Sequence, residues 1–489
     1  MHICIFGTGA SGWMVAHSLK NLKEVTKITI IGSDKIPAIG VGESTTSSFM
    51  SWVEGNLNFT EKEYYDFIVN INASVKYGVS YEGWSPKIYL HGFNWLTDEK
   101  LVGNQYLLAN KPNKENVNIY NSYVASFSYE NKIVLDWKTH PLSWQFEANS
   151  LIETLQNLAK KEIKISHKIG TLKNIYYKDS SNKKIDKAVL EDGTEIIADY
   201  YVNSIGSTSF NQKIFKEEYE WYNNILLTNK AIFTPIDYKN KEKEIHPYTV
   251  SKAMKHGWRW ITPTWNRIGT GYVFSDKHCS IEEAKKELAE DIGEDLNFRV
   301  VDFTPRKVKK AFKENYCSIG MAAGFLEPLD APGLSITIDS IEKLKNLIAL
   351  NTTKDYEETL NLYNKSWNFV FNFWASFILL QYKTSHRNDT QFWEDHKNIK
   401  FSFLERLLQE LPNPKRSFWE RTMFFNTIAG KDINWKIPTD RLPEKLDISN
   451  IKTISHLELL NLMREDKEFL EKIIEENKIE NIIKNPGSL

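Results

Sequence analysis

HICIFGTGASGWMVAHSLKNL occupies residues 2–22, and KITIIG follows at 27–32. A short apolar run, a glycine cluster, a stretch of helical spacing and a second apolar run together make a βαβ unit. Gly7, Gly9 and Gly12 form G-x-G-x-x-G where the first run ends and the helix opens. The first glycine suits a tight turn, the second lets backbone approach a pyrophosphate, and the third lets helix pack on strand. The helix N-terminus then offers its N–H groups and its dipole to phosphates. The pattern predicts a dinucleotide site built from Gly7, Thr8, Gly9, Ala10, Ser11 and Gly12; a glycine-rich structural turn is the alternative. The acid that binds ribose hydroxyls is due at the end of the second strand. Asp34 lies slightly beyond that place.

The chain has 489 residues, 41% apolar and 26% charged, with a net charge of −1. Such a chain forms two or three domain-sized units or one large composite enzyme fold. The balanced charge argues against nucleic acid and an acidic membrane surface as partners. Cys4, Cys279 and Cys317 lie far apart without metal-ligand spacing, so neither a disulfide framework nor a metal site is expected. The first residues lack a basic n-region and their glycines interrupt any apolar h-region, so a cytoplasmic location is expected. FVFNFWASFILL at 369–380 is too short to span a bilayer and contains Asn372 and Ser376; it reads as a buried helix. Aromatic residues reach 13%, 15 of them Trp, which fits either a bulky core or a pocket for a flat ligand.

Residues 61–72 and 147–161 read as helices, 75–95 as aromatic strands and 163–178 as further strands. Glu191-Asp192-Gly193 marks a hairpin turn before the strand ADYYVNSIG. Strands are also expected near 230–234 and 268–275, and a helix at 280–290. The polar stretch 96–140, rich in Asn, Lys and Tyr, reads as an insertion. From about residue 334 the pattern is mainly helical. Interleaved strands and helices predict an α/β core with a helical C-terminal layer.

Beyond the glycine fingerprint come IGVGEST (39–45), NASVKYGVSYEGW (72–84), SWQFEANSLIETL (143–155), GWRWITP (257–263) and LLQYKTSHRNDTQFW (379–393). In this order they resemble the motifs of flavin-dependent halogenases of the tryptophan-halogenase type, with Thr262 where the family's W-x-W-x-I-P has Ile. The resemblance implies a glutathione-reductase-like FAD-binding fold with an antiparallel substrate layer. It covers residues 1–393 as a discontinuous core; 394–489 matches poorly and is expected to be a mostly helical substrate-region segment. It also implies FADH2 from a separate NAD(P)H-dependent flavin reductase, with O2 and a halide as co-substrates. These generate hypohalous acid, which is handed to a lysine and halogenates a small, electron-rich aromatic of indole or phenol type. A homo-oligomer is left open.

The same resemblance places the catalytic lysine on Lys76 and the catalytic acid on Asp330, in GFLEPLDAPGLSITIDS (324–340) where the family reads P-L-E-S-T-G. Asp is one methylene shorter than Glu, about 1.5 Å of reach, so Glu327 is a second candidate acid. Trp258 and Trp260, at i and i+2 of a strand, share one face and imply a barrier between flavin and substrate. Beside the fingerprint, Asp34, Val41, Gly42, Glu43, Gly320, Leu329, Gly333 and Leu334 are implied flavin contacts. The family's halide is held by backbone N–H groups at the positions of Pro332 and Gly333. Proline has no N–H, which implies a weakened chloride site and a preference for bromide or iodide. A tolerated proline at the start of a helix is the plain alternative. At the level of function, the alternatives are a flavin-dependent aromatic monooxygenase and a catalytically impaired flavin-binding protein.

Overall fold

The computed structural model describes residues 1–33, 42–92, 127–134, 142–178, 184–294, 296–350, 355–413, 418–431 and 452–476, with positions 353, 416 and 433. Asp34, Val41 and most of the expected insertion lie outside the described residues, as do the side chains of Gly42 and Glu43.

The opening strand, His2–Phe6, lies inside a six-stranded sheet. Parallel strands flank it: Lys27–Gly32 on one side and Tyr200–Asn203 on the other. Ile165–Ile169 extends the sheet beyond the second strand, and Tyr316–Ser318 extends it beyond Tyr200–Asn203. Ile3, Cys4 and Ile5 are fully buried, as expected where both faces of a parallel sheet are covered. The helix Ala10–Leu19 crosses from the first strand to the second and is buried from Gly12 onward. Gly7 has φ +110° and donates its N–H to the Ile31 carbonyl at 2.8 Å. A Cβ on Gly12 would sit 2.0 Å from the Gly7 carbonyl oxygen. The first and third glycines therefore solve one steric problem, the passage of a helix over its own preceding turn.

A seven-stranded sheet forms the second layer, in the order 299–302, 230–236, 268–274, 257–263, 249–254, 78–82 and 89–92. Its neighbours are antiparallel except Thr249–Met254 beside Gly78–Glu82. Gly42–Ser44, Ser143–Glu147 and Ser74–Lys76 make a small three-stranded sheet packed against strands 257–263 and 268–274 of that layer. The hairpin turn at 191–193 joins Ile185–Leu190 to Glu195–Ile196, with Gly193 at φ +85°.

Trp13, Trp52, Trp84, Trp144, Trp367 and Trp393 are among the largest fully buried side chains. Much of the aromatic excess is therefore core. Residues 369–380 lie within the helix Tyr356–Lys383, whose face from Phe373 to Tyr382 is buried throughout. No helix among the described residues is long and apolar enough to cross a membrane.

Residues 127–134 of the expected insertion lie among the described residues. Lys132–Val134 is a strand, with Ile133 and Val134 fully buried, paired antiparallel to Thr453–Ser455. Its partner lies far along the chain, so no local pattern announced it.

The glycine geometry separates two roles. Gly12→Ala is expected to destabilise the fold by about 1–3 kcal/mol through overpacking. Gly9 has ordinary extended backbone and nothing within 4 Å of an added Cβ, so Gly9→Ala is expected to cost less than about 0.5 kcal/mol. Urea unfolding of both variants checks the contrast.

Candidate active site

Three of the sequence motifs meet in the small central sheet. Ser143–Glu147 is its middle strand, pairing Ser44 with Gln145 on one side and Lys76 with Ser143 on the other. The hydroxyl of Thr45 donates to the Trp144 carbonyl at 2.6 Å, and that of Ser143 to the Thr46 carbonyl at 2.6 Å. Lys76 is fully buried, and its Nζ donates to the Thr45 carbonyl at 2.8 Å. Burial pushes the Lys76 pKa down to about 7, while the negative charge of Asp330 pulls it back up.

The lysine strand has a late anchor. Val75 donates its N–H to His456 Nε2 at 3.0 Å, and His456 Nδ1 lies 2.8 Å from the Ile245 carbonyl. Those partners require the neutral imidazole with its proton on Nδ1. Burial holds the His456 pKa at about 3, consistent with that tautomer.

Asp330 is held at a backbone reversal. Asp330 and the following Ala331 have φ +61° and +54°, and Ala331 donates its N–H to the Pro328 carbonyl at 3.0 Å. Left-handed backbone is unfavourable for residues carrying a Cβ, and strain of this kind persists only where surrounding contacts impose it. Tyr81 donates its hydroxyl to Asp330 Oδ2, and His91 Nδ1 lies 3.5 Å from Oδ1. The helix Pro332–Leu350 starts immediately after. Its first turn is tied to the loop after Gly42–Ser44, since the Ser335 hydroxyl contacts those of Thr46 and Ser48.

Glu327 sits three residues before Asp330 in a different setting. Oε1 accepts from Trp258 Nε1 at 3.1 Å and from the Tyr382 hydroxyl at 2.8 Å, and Oε2 accepts from Thr228. Burial pushes its pKa up to about 7 against these three donors. Its carboxylate thus ties the tryptophan strand to the helix Tyr356–Lys383.

Trp258 and Trp260 are on the strand Gly257–Pro263, with ring centroids 6.3 Å apart. Trp258 is buried and Trp260 lies over Gly271, where a Cβ would come 2.3 Å from the indole. The R-x-D-T-x-F-W element clamps the hairpin that carries them. Arg387 pairs with Asp389 and donates to the Ala253 carbonyl at 3.2 Å. Thr390 donates to the Lys255 carbonyl at 2.6 Å, and Trp393 Nε1 to the Met254 carbonyl at 3.1 Å.

The residues at the fingerprint fit a dinucleotide. Nothing lies within 4 Å of a Cβ built on Gly9 or on Gly333, so both backbones face open space. Gly320, at φ +64°, lets Ser11 approach until an added Cβ would be 2.3 Å from its Oγ. Thr8 packs against Gly32, where an added Cβ would be 2.2 Å from its hydroxyl. Ala10 and Leu334 are partly buried, while Leu329 is fully buried. Gly42 and Glu43 pair as backbone with Glu147 and Phe146. Pro332 is the first residue of its helix, the position where a missing N–H costs least.

Sequence reasoning did not single out Tyr81, His91, Lys431 or His456. Tyr81 lay inside a quoted motif, and its alternation with Tyr77 and Val79 was the available signal. Lys431 and His456 belong to the C-terminal region, where no local pattern points inward.

A family model described as tryptophan halogenase matches residues 2–437. The chain is 24% identical over 437 residues to the tryptophan 7-halogenase RebH of Lentzea aerocolonigenes, spanning 82% of this chain and 79% of that one. Among solved structures, a tryptophan halogenase from Shewanella frigidimarina shares the fold at a TM-score of 0.80 and 21% identity, covering 98% of this chain and 93% of that one. A flavin-dependent halogenase from Xanthomonas campestris does so at 0.76 and 21%, covering 97% and 94%.

The Glu327 environment has a measurable consequence. Its pKa is raised from 4.5 to about 7 on folding, so the folded state binds the extra proton between those values. Stability from this group is full below pH 4.5 and is lost as pH rises through about 7. Glu327→Gln is expected to remove that dependence, narrowing the difference in unfolding free energy between pH 5 and pH 8 by on the order of 2–3 kcal/mol. Denaturant titrations at the two pH values check this.

Proposed function

The chain belongs to the tryptophan halogenase family, and from that premise we propose that it halogenates an electron-rich aromatic of indole or phenol type at Lys76. The observation that carries the reading is a fully buried lysine whose Nζ rests on the Thr45 carbonyl, within electrostatic reach of Asp330. A bound reduced flavin, supplied by a separate NAD(P)H-dependent reductase, provides hypohalous acid from O2 and a halide.

Lys76 receives that acid. As an ammonium, it donates a hydrogen bond to the hypohalous oxygen and makes the halogen more electrophilic. As a neutral amine, it can take the halogen as a haloamine. A pKa near 7 keeps both forms accessible at neutral pH. On the direct route the halogen bonds to a ring carbon and hydroxide leaves as water with a proton from Lys76. Asp330 accepts the ring proton. Glu327, with both oxygens engaged, acts on the wall rather than on the substrate: it fixes the indole of Trp258. Trp258 and Trp260 separate the flavin side from the substrate side and favour halogen transfer over direct oxygenation.

Gly333 is the backbone donor left for the halide, because Pro332 lacks an N–H. Fewer donors compensate chloride dehydration poorly, and bromide and iodide are less strongly hydrated and easier to oxidise. The helix that follows offers its positive end to the reduced flavin.

Two outcomes test this. Protein supplied with FAD, a reductase, NADH and an indole or phenol, under equal chloride and bromide, is expected to give mainly brominated product by mass spectrometry. A chlorinated main product overturns the halide assignment, and a product gaining only oxygen overturns the halogenase reading. Lys76→Met is expected to lower halogenation by about 100-fold or more while flavin binding, followed by fluorescence, stays intact.

A further inference from the structure

Another fully buried lysine lies within electrostatic reach of Asp330. Lys431 follows the helix Phe418–Gly430 and keeps its helical bond, N–H to the Thr427 carbonyl at 3.1 Å. A lysine at a helix end ordinarily reaches solvent; this one turns inward and is 0% exposed. Its Nζ donates to the Gln381 carbonyl at 2.6 Å. It also lies 5.5 Å from the ring centroid of Tyr81 and 4.9 Å from that of Trp84, within range for attraction between a cation and an aromatic face.

The surroundings hold it there from several elements. A Cβ on Gly430 would come 2.2 Å from the Tyr89 ring, so glycine at this position allows the helix end to approach. His386 Nε2 lies 2.7 Å from the Lys431 carbonyl. Gln381 accepts from the Tyr89 hydroxyl at 3.3 Å and donates to Thr427 at 3.0 Å. Tyr81, stacked on Tyr89 at 5.0 Å, carries the hydroxyl that donates to Asp330. The titratable groups facing this pocket are Tyr81, Tyr89, Tyr382, His91, His386 and Asp330, with Lys76 also in electrostatic reach of Asp330. Burial pulls the Lys431 pKa well below the usual lysine range, and the negative charge of Asp330 opposes this only in part.

We propose that Lys431 is a positioning residue of the halogenating site: packed against the ring of Tyr81, it holds the tyrosine hydroxyl on Asp330. It touches neither substrate nor flavin; it acts through Tyr81 and Asp330. The shorter acid at 330 is thereby fixed by two aromatic-borne contacts and kept ready to accept the ring proton.

The proposal rests on the halogenase reading, and the test separates the two. Lys431→Met, Lys431→Gln and Tyr81→Phe are made in the full chain and given pre-reduced FAD, oxygen, bromide and a phenol. Flavin affinity is expected to stay within about twofold in each. Both Lys431 variants are expected to lower kcat for bromination about tenfold at pH 7, with KM for the phenol within about twofold. Tyr81→Phe should lower kcat in the same way, and Tyr81→Phe with Lys431→Gln should lose no more than the worse single variant. Losses that multiply in the double variant, or an unchanged kcat, overturn the proposal. If Lys431→Met fails to fold, Lys431→Gln carries the same readout with a polar donor on a shorter side chain. A wild-type protein that brominates no aromatic overturns the halogenase reading instead.

Discussion

Removing the Lys76 ammonium from water costs several kcal/mol unless the protein replaces its hydration. The replacements around this side chain include the Thr45 carbonyl and the negative charge of Asp330. Each has to be delivered by a different part of the chain. The carbonyl arrives with the strand Gly42–Ser44, aligned through Ser143–Glu147. The carboxylate arrives from the start of the helix Pro332–Leu350. The small central sheet thus brings the Thr45 carbonyl to one buried lysine.

The cost of that arrangement is visible at Asp330-Ala331. Two consecutive left-handed residues without glycine carry on the order of 1–3 kcal/mol of strain each. Glycine at either position would relax the backbone, but glycine at 330 would remove the acid. The turn bond to Pro328 and the grip of Tyr81 offset the strain. Two acids three residues apart therefore sit in different settings. Asp330 lies in a strained loop within electrostatic reach of Lys76, and Glu327 has its oxygens occupied by Trp258, Tyr382 and Thr228.

The fold's entry was legible because its signals are local. Gly7, Gly9 and Gly12 act within one turn, and the apolar runs at 2–6 and 27–32 pair with each other directly. Lys76 and the tryptophan pair were singled out through motifs, and the structure buries Lys76 and Trp258 and sets Trp260 beside Trp258. What stayed hidden depends on distant partners. The strand at 132–134 needs Thr453–Ser455, the inward turn of Lys431 needs the aromatic rings of Tyr81 and Trp84, and the division between Glu327 and Asp330 needs Trp258 and Tyr382. Periodicity reports burial, not the identity of a partner hundreds of residues away.

The bond from Val75 to His456 spans 381 residues of chain. A growing polypeptide can close its parallel sheet once Tyr316–Ser318 has emerged, yet the strand bearing the lysine still lacks its anchor. Contacts of such separation form late, because loop closure must precede them. The sheet built on the glycine fingerprint can therefore form before the strand that carries Lys76 is anchored, and the helix His456–Glu465 supplies that anchor.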